Sequence, residues 1–281
     1  MTQPTRAPEP PESSELSGRV AIVTGANHGI GAATAVALAA RGASVLVTYL
    51  RIDDAADPRT PGAYRRNRAK DASAVLEAVA SVGGTARATE ADLADPKTPA
   101  ALFDLAERDL GPVDILVNNA TGWLADTFKA AASDRFSRSL TPFSAETFDR
   151  LFAVDARGGA LMIAEFARRH LERGAAWGRI ISLTSGSGRG FPEEVSYGAA
   201  KAALTDYTLS AGVELASAGI TANVVHPPVT DTGWVTQKVR DMVAGSDELE
   251  HVAEPGEVAE VIAYLCEDRA ALINRNILTL R

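Results

Sequence analysis

The chain has one cysteine, Cys266, in 281 residues. A lone cysteine closes no internal disulfide, and no Cys/His grouping has zinc-ligand spacing, so a reducing compartment and no structural metal are expected. Cys266 reads as a packed core thiol. Long apolar runs are also missing: the stretch at 32–40 falls well short of the ~20 residues that cross a bilayer. The N-terminus lacks a basic segment followed by an apolar one, so a cytoplasmic protein is expected. Positive charge is in deficit, with Lys+Arg 28 against Asp+Glu 36 and a net charge of -8. That balance argues against a general grip on nucleic acid or an anionic membrane and favours a small-molecule partner. The histidines, His28, His170, His226 and His251, are too scattered for a metal site or a triad, and the last three read as structural or surface groups.

What is present is enough apolar sequence, 46%, to close one sizeable α/β core. Residues 1–17 are rich in Pro, Glu, Ser and Thr and are expected to form a flexible tail, with one domain over 18–281. From Arg19 onward, short β-branched runs alternate with longer Ala/Leu/Val helical patterns, the mark of repeated βαβ units. Strands are predicted at 20–24, 44–49, 86–91, 115–118, 179–184, 221–226 and 276–279, most of them continuous apolar runs that need cover on both faces. Helices are predicted at 30–41, 69–82, 99–110, 145–173, 196–218 and 257–267. Right-handed crossovers then lead to a doubly wound parallel sheet of about seven strands. Two connections, 51–68 and 121–143, exceed the minimum, and loops of that length usually carry function or lack order.

The first predicted strand runs into Thr24-Gly25-Ala26-Asn27-His28-Gly29-Ile30-Gly31, with an alanine-rich helix directly after it. Glycines allow close backbone approach, and the free N–H groups and dipole of a helix N-terminus favour a phosphate. The alternative is a plain tight βα turn. Farther on, Tyr197 and Lys201 are four apart in a helical stretch and share one face. A nearby ammonium favours the phenolate and lowers a tyrosine's pKa from about 10 toward the working pH, which suits a general acid or base.

The glycine loop matches the Thr-Gly-x-x-x-Gly-Ile-Gly motif of the short-chain dehydrogenase/reductase family. Tyr197-x-x-x-Lys201 follows a fifth strand ending Ser182-Leu183-Thr184-Ser185, as it does in that family. With Asn118-Asn119-Ala120 after the fourth strand and Asn223-Val224-Val225 with Pro227 in and after the sixth, the resemblance spans Arg19 to the C-terminus. It is similar in particular to the 3-oxoacyl-carrier-protein-reductase-like members. The resemblance implies a single-domain Rossmann fold and a nicotinamide cofactor held by Gly25, Asn27, His28, Gly29, Ile30 and Gly31. It further implies Asp92 and Leu93 beside the adenine, and Asn119, Ala120 and Thr121 on the nicotinamide side. Pro227, Val229, Thr230 and Thr232 are then expected at the turn after the sixth strand, with Ser185 as the catalytic serine and Thr184 and Ser187 as alternatives. A homotetramer or homodimer through 145–173 and 196–218 is also implied.

An NAD site usually ends its second strand with an acid, whereas an NADP site needs room and positive charge. Tyr49 holds that position and Arg51 follows; a guanidinium can clamp a phosphate through two hydrogen bonds. NADP(H) is favoured; NAD(H), with Asp53 or Asp54 at the ribose, stays open. Three departures from the family pattern stand out: Thr121 in place of glycine, Pro228 in place of glycine, and Asp155 aligned with the helical asparagine of the catalytic set. The expected activity is carbonyl–alcohol interconversion with Tyr197 as acid/base, assisted by Ser185, Lys201 and Asp155; the rival is a silent dinucleotide-binding sensor or scaffold. Trp123, Phe128, Phe136 and Trp234 are expected at the substrate pocket, and Lys129, Arg135 and Arg138 raise an anionic substrate.

Overall fold

The structure, a computed structural model, describes residues 15–52, 60–186, 190–247, 249 and 251–281. In chain order these form β1 (Val20–Val23), α1 (Gly29–Ala40), β2 (Ser44–Tyr49), α2 (Gly62–Arg68), α3 (Ser73–Ser81), β3 (Thr85–Glu90), α4 (Thr98–Asp109) and β4 (Ile115–Asn118). A short pair, β5 (Asp126–Thr127) and β6 (Thr141–Pro142), precedes α5 (Ala145–Leu151), a π-helical turn (Phe152–Gly158) and α6 (Gly159–Glu172). Then come β7 (Gly178–Leu183), α7 (Val195–Glu214), β8 (Ile220–His226), α8 (Gln237–Ala244), α9 (Pro255–Cys266) and β9 (Ile277–Thr279).

β1, β4 and β7 are buried at every position, so a helix layer must cover each face of the sheet they build. The strands pair in parallel in the order β3-β2-β1-β4-β7-β8-β9. On one face Leu38 of α1 and Ile262 of α9 pack with Val75 of α3; on the other, Phe103 of α4, Met162 of α6 and Leu204 of α7 do. The chain winds outward from β1 to β3 and then returns to β4 on the other side of β1. At that reversal the connections leave in opposite directions and open a crevice at the carboxyl ends of the strands.

All seven predicted main strands are present, and the predicted helices are found with shifted ends. Five features differ. The 51–68 connection contains α2, whose sequence GAYRRNR has no apolar period to announce a helix. α8 was also passed over, because only Val239 and Val243 are buried in its eight residues. The predicted helix at 145–173 is interrupted by the π turn, and β5 and β6 lie inside the 121–143 connection. Finally, Leu16, within the expected tail, is fully buried and its N–H donates to the Arg41 carbonyl at 2.9 Å. One leucine amid polar residues carries no periodicity, yet the α1–β2 turn offers it an apolar seat. Residues 1–14 lie outside the described residues.

Cys266 is buried in this core and burial pushes its thiol up to about 12. Among the described residues no helix is long and apolar enough to cross a membrane, and no group of His, Cys, Asp and Glu could hold a metal ion. Leu16→Ala should destabilise the fold by roughly 2–5 kcal/mol, the range for emptying a buried leucine site. Thermal denaturation checks this, and an unchanged midpoint would put the start of the domain beyond residue 17.

Candidate active site

The glycine loop leaves β1 and is bolted to the end of β4. The Thr24 hydroxyl accepts the backbone N–H groups of Asn119 and Ala120, each at 3.0 Å. In return the Asn119 amide donates to the carbonyls of Thr24 and Gly25, both at 2.9 Å. These bonds close the sheet's reversal point and draw the chains together until no side chain fits between them. A Cβ on Gly25, whose φ is +62, would meet the Ala120 Cα at 2.7 Å, and one on Gly31 would meet the Asn119 amide and Gly25 carbonyl at 2.5 Å. Gly25 and Gly31 therefore serve close approach, leaving the α1 N-terminus open to a phosphate.

One cavity of about 1020 Å³ runs along this crevice, large enough at the upper end of ligand-site volumes for a dinucleotide and a small substrate. Gly25, Asn27, His28, Gly29 and Ile30 line it, as do Tyr49, Asp92 and Leu93. Asn119, Ala120 and Thr121 form a further part of the wall, opposite Pro227, Val229, Thr230 and Thr232. The Thr232 methyl lies over Gly29, so the segment after β8 covers the glycine loop. Asp92 reaches the wall while its carboxylate accepts the Ala94 N–H at 2.8 Å, combining the turn and site readings. The crowded glycines, the open helix N-terminus and this continuous trench fit a dinucleotide.

Three of the residues predicted for cofactor binding or catalysis do not line the cavity. Gly31 acts by packing. Arg51 turns to the sheet edge, where Glu90 lies across the β2–β3 register from Tyr49; the guanidinium pairs with it at 2.7 Å and the Arg51 N–H donates at 3.0 Å. The nearer carboxylate on the edge strand thus captures the side chain expected to clamp a phosphate. Asp155 stands behind the wall. Asp53, Asp54 and Ser187 lie outside the described residues.

At the other end of the cavity Ser185 and Tyr197 both line the wall, close enough for the Ser185 side chain to favour the Tyr197 phenolate. Thr184, the alternative serine substitute, instead donates to the Lys201 carbonyl at 3.4 Å and accepts from Thr205 at 3.0 Å. Lys201, only 2% exposed, sits one turn below Tyr197 with its ammonium 5.7 Å from the ring centroid. That ammonium pairs with Asp155 Oδ1 at 3.1 Å, and Asp155 Oδ2 accepts the Gly122 N–H at 2.8 Å. The π turn holds Asp155 inward, a placement typical of π bulges at sites. Sequence reasoning expected Lys201 to lower the Tyr197 pKa. The structure reverses this: burial first, then the Asp155 and Glu194 carboxylates and the neighbouring Tyr64, raise it well above the usual phenol range, against the Ser185 side chain. An ammonium already paired with a carboxylate cannot offset the desolvation of the phenolate.

Several site residues went unseen in the sequence. Asp126, on β5, accepts the Ser196 N–H at 2.9 Å and bonds its hydroxyl, capping α7 one residue before Tyr197. Tyr64 of α2 meets Trp123 edge-on at 5.9 Å, and the Arg138 guanidinium lies 5.0 Å from Trp123 and 5.8 Å from Trp234. Arg138 pairs with Asp134 at 2.6 Å and Glu194 at 2.5 Å. Burial holds the Glu194 carboxyl above its usual range despite Arg138. Lys129 approaches Glu193 at 3.5 Å, so Arg138 and Lys129 are matched by acids, while Arg135 stays on the cavity wall with its guanidinium 4.9 Å from the Phe136 ring centroid. These contacts are long-range, and only acids and aromatics clustered around 123–138 and 193–194 hinted at them. Of the expected pocket aromatics, Phe128 is exposed and lies off the cavity wall.

Asp126→Ala would leave a buried N–H and hydroxyl of Ser196 without an acceptor, which costs roughly 1–3 kcal/mol. A matching drop in the thermal midpoint is expected. Adding Ser196→Ala should cost less than the sum of the single changes, and full additivity would show that the two residues are not coupled.

Residues 62–280 match a family model described as Enoyl-(Acyl carrier protein) reductase. The short-chain type dehydrogenase/reductase of Picea abies is 34% identical, over 93% of this chain and 90% of its own. Versicolorin reductase stcU of Emericella nidulans is 31% identical, over 95% and 96%. Among solved structures, angucycline C-6 ketoreductase LanV with bound NADP is 30% identical, covers 95% of each chain and superposes with a TM-score of 0.75. With this likeness over nearly its whole length, the chain belongs to the short-chain dehydrogenase/reductase family of oxidoreductases.

Proposed function

We propose that the chain is an NADP(H)-dependent oxidoreductase that interconverts a carbonyl and a secondary alcohol, with Tyr197 as general acid/base. The observation that carries this reading is that Ser185 and Tyr197 line the same cavity as the glycine loop. The NADP bound in the LanV structure supports the choice of cofactor. Bound NADP(H) would supply or accept the hydride at the substrate carbon.

The chain's own residues account for the oxygen and its proton. Ser185 and Tyr197 hold the substrate oxygen between their hydroxyls, fixing the carbonyl plane and stabilising developing negative charge. In reduction the Tyr197 O–H gives up its proton to that oxygen; in oxidation the phenolate takes one from the alcohol. Lys201 stands behind the ring with its charge held by Asp155, whose carboxylate opposes formation of the phenolate. Asn119, Thr121 and Val229 orient the cofactor from the walls, with Val229 standing in for Pro228, which has no N–H. The acceptor end is walled by Trp123, Phe136, Phe191 and Trp234.

A second copy of the chain fits the exposed apolar side chains of the predicted interface helices, among them Phe148, Tyr207 and Val213. A homodimer or homotetramer formed there, working on a small molecule in the cytoplasm, completes the reading. The capture of Lys201 by Asp155 favours one rival, a silent dinucleotide-binding sensor or scaffold. Binding of NADPH without turnover across ketones, aldehydes and quinones would establish that rival.

Two outcomes follow from the proton chemistry. Tyr197→Phe should keep NADPH affinity, read by nicotinamide fluorescence, while turnover falls about 10²–10⁴-fold; normal turnover would remove Tyr197 from the mechanism. The second concerns pH. Because burial, Asp155, Glu194 and Tyr64 raise the Tyr197 pKa, the phenol is the resting form at neutral pH. Alcohol oxidation, which needs the phenolate, should therefore keep rising with pH through the alkaline range, while ketone reduction should not need that rise. Asp155→Asn removes a negative charge that opposes the phenolate, so the oxidation limb should move to lower pH. A limb that stays in place would show that Asp155 does not govern the ionisation of Tyr197.

A further inference from the structure

Residues 51–68 leave the end of β2 and return to it. The Ile52 N–H donates to the Arg68 carbonyl at 3.1 Å, which pins the last residue of α2 against the strand it departed from. This is the corner where a doubly wound sheet reads the ribose of a dinucleotide. Arg68 is 8% exposed and lines the cavity; the Arg51 side chain is 57% exposed and belongs to the outer edge with Glu90. The guanidinium of Arg68 lies 5.5 Å from the Tyr64 ring centroid, a stacking contact that limits its freedom.

A second cation comes with the same turn. The Lys70 carbonyl accepts the Asn27 amide at 2.8 Å, which ties this turn directly to the glycine loop, and its ammonium donates to Asn67 at 2.9 Å. Arg68 and Lys70 thereby crowd His28 of the loop. Burial, then Arg68, then Lys70, push the His28 imidazole down to about 4. Arg68 and His28 line the cavity and Lys70 is exposed beside them, so an anion at this corner meets positive charge from more than one side. The α2 segment is also braced from the far side, where the Asn67 amide donates to the Thr232 carbonyl at 3.1 Å.

Resting on the NADP(H) reading above, we infer that Arg68, seconded by Lys70, grips the 2′-phosphate of the cofactor, and that Arg51 does not. A guanidinium offers the paired N–H donors that a phosphate accepts, and α2 delivers it to the ribose corner from the opposite end of the 51–68 connection.

The test needs no turnover. Full-length protein is titrated by calorimetry with adenosine 2′,5′-bisphosphate and with adenosine 5′-monophosphate, which differ only in the 2′-phosphate. The wild type should prefer the bisphosphate, and Arg51→Ala should keep that preference. Arg68→Ala should weaken bisphosphate binding about ten- to hundredfold, as for a lost charge-assisted bond, with the monophosphate unchanged and the thermal midpoint retained. Arg68→Lys should recover part of the loss. A preference that survives Arg68→Ala and disappears in Arg51→Ala would overturn the inference while leaving NADP(H) as the cofactor. Equal weakening of both ligands by Arg68→Ala would overturn the 2′-phosphate assignment. A wild type without preference would bring down the NADP(H) reading itself.

Discussion

An ammonium that is 2% exposed cannot stay charged without a partner, and for Lys201 that partner is Asp155 at 3.1 Å. Much of the site's arrangement follows from this requirement. To reach Lys201 on α7, Asp155 must point inward, and the π turn between α5 and α6 provides the needed extra residue. The second carboxylate oxygen must also be satisfied, and the Gly122 N–H does so, which fixes the loop after β4 against the same pair. Two departures from the family pattern, Thr121 and Asp155, thus meet in one cluster: the loop's glycine stands one place later, at 122, where the aspartate can use its N–H.

The same need for compensation recurs around α7. Its first turn is held by the buried Asp126, and the residue preceding the helix, Glu194, is buried against Arg138. A carboxylate at a helix N-terminus is favoured by the free N–H groups and the dipole. Because Arg138 is matched by both Asp134 and Glu194, its charge is neutralised within the wall, and what the substrate end presents is the aromatic surface of Trp123 and Trp234 around it. Two of the three basic residues that looked like an anion trap in the sequence, Lys129 and Arg138, pair with acids here.

At the cofactor end the principle runs the other way. His28, Arg68 and Lys70 bring basic groups together at the glycine loop, and His28 responds by remaining neutral. Around Tyr197 acids and bases pair with one another, while several basic groups meet at the glycine loop. A ligand carrying phosphates at one end and an uncharged ring at the other matches both.

The sequence by itself determined the sheet, the crevice and the candidate site residues that line it. Apolar runs such as Val20–Val23 and the glycine loop that follows are local signals, and Tyr197 and Lys201 share a helix face because helical spacing alone puts them there. Ser185 is legible with two competitors, of which Thr184 bonds to α7 while also lining the cavity. Only the tertiary structure decided how charges pair. Arg51 went to Glu90 on a neighbouring strand, Lys201 to Asp155 on another helix, and Arg138 to Glu194, 56 positions away. The same holds for Leu16, α2 and the β5–β6 pair, whose short segments gain stability from contacts with distant parts of the chain. Periodicity reports which face of an element is buried; Coulomb attraction and desolvation act through space, and the distances that set them exist only once the chain has folded.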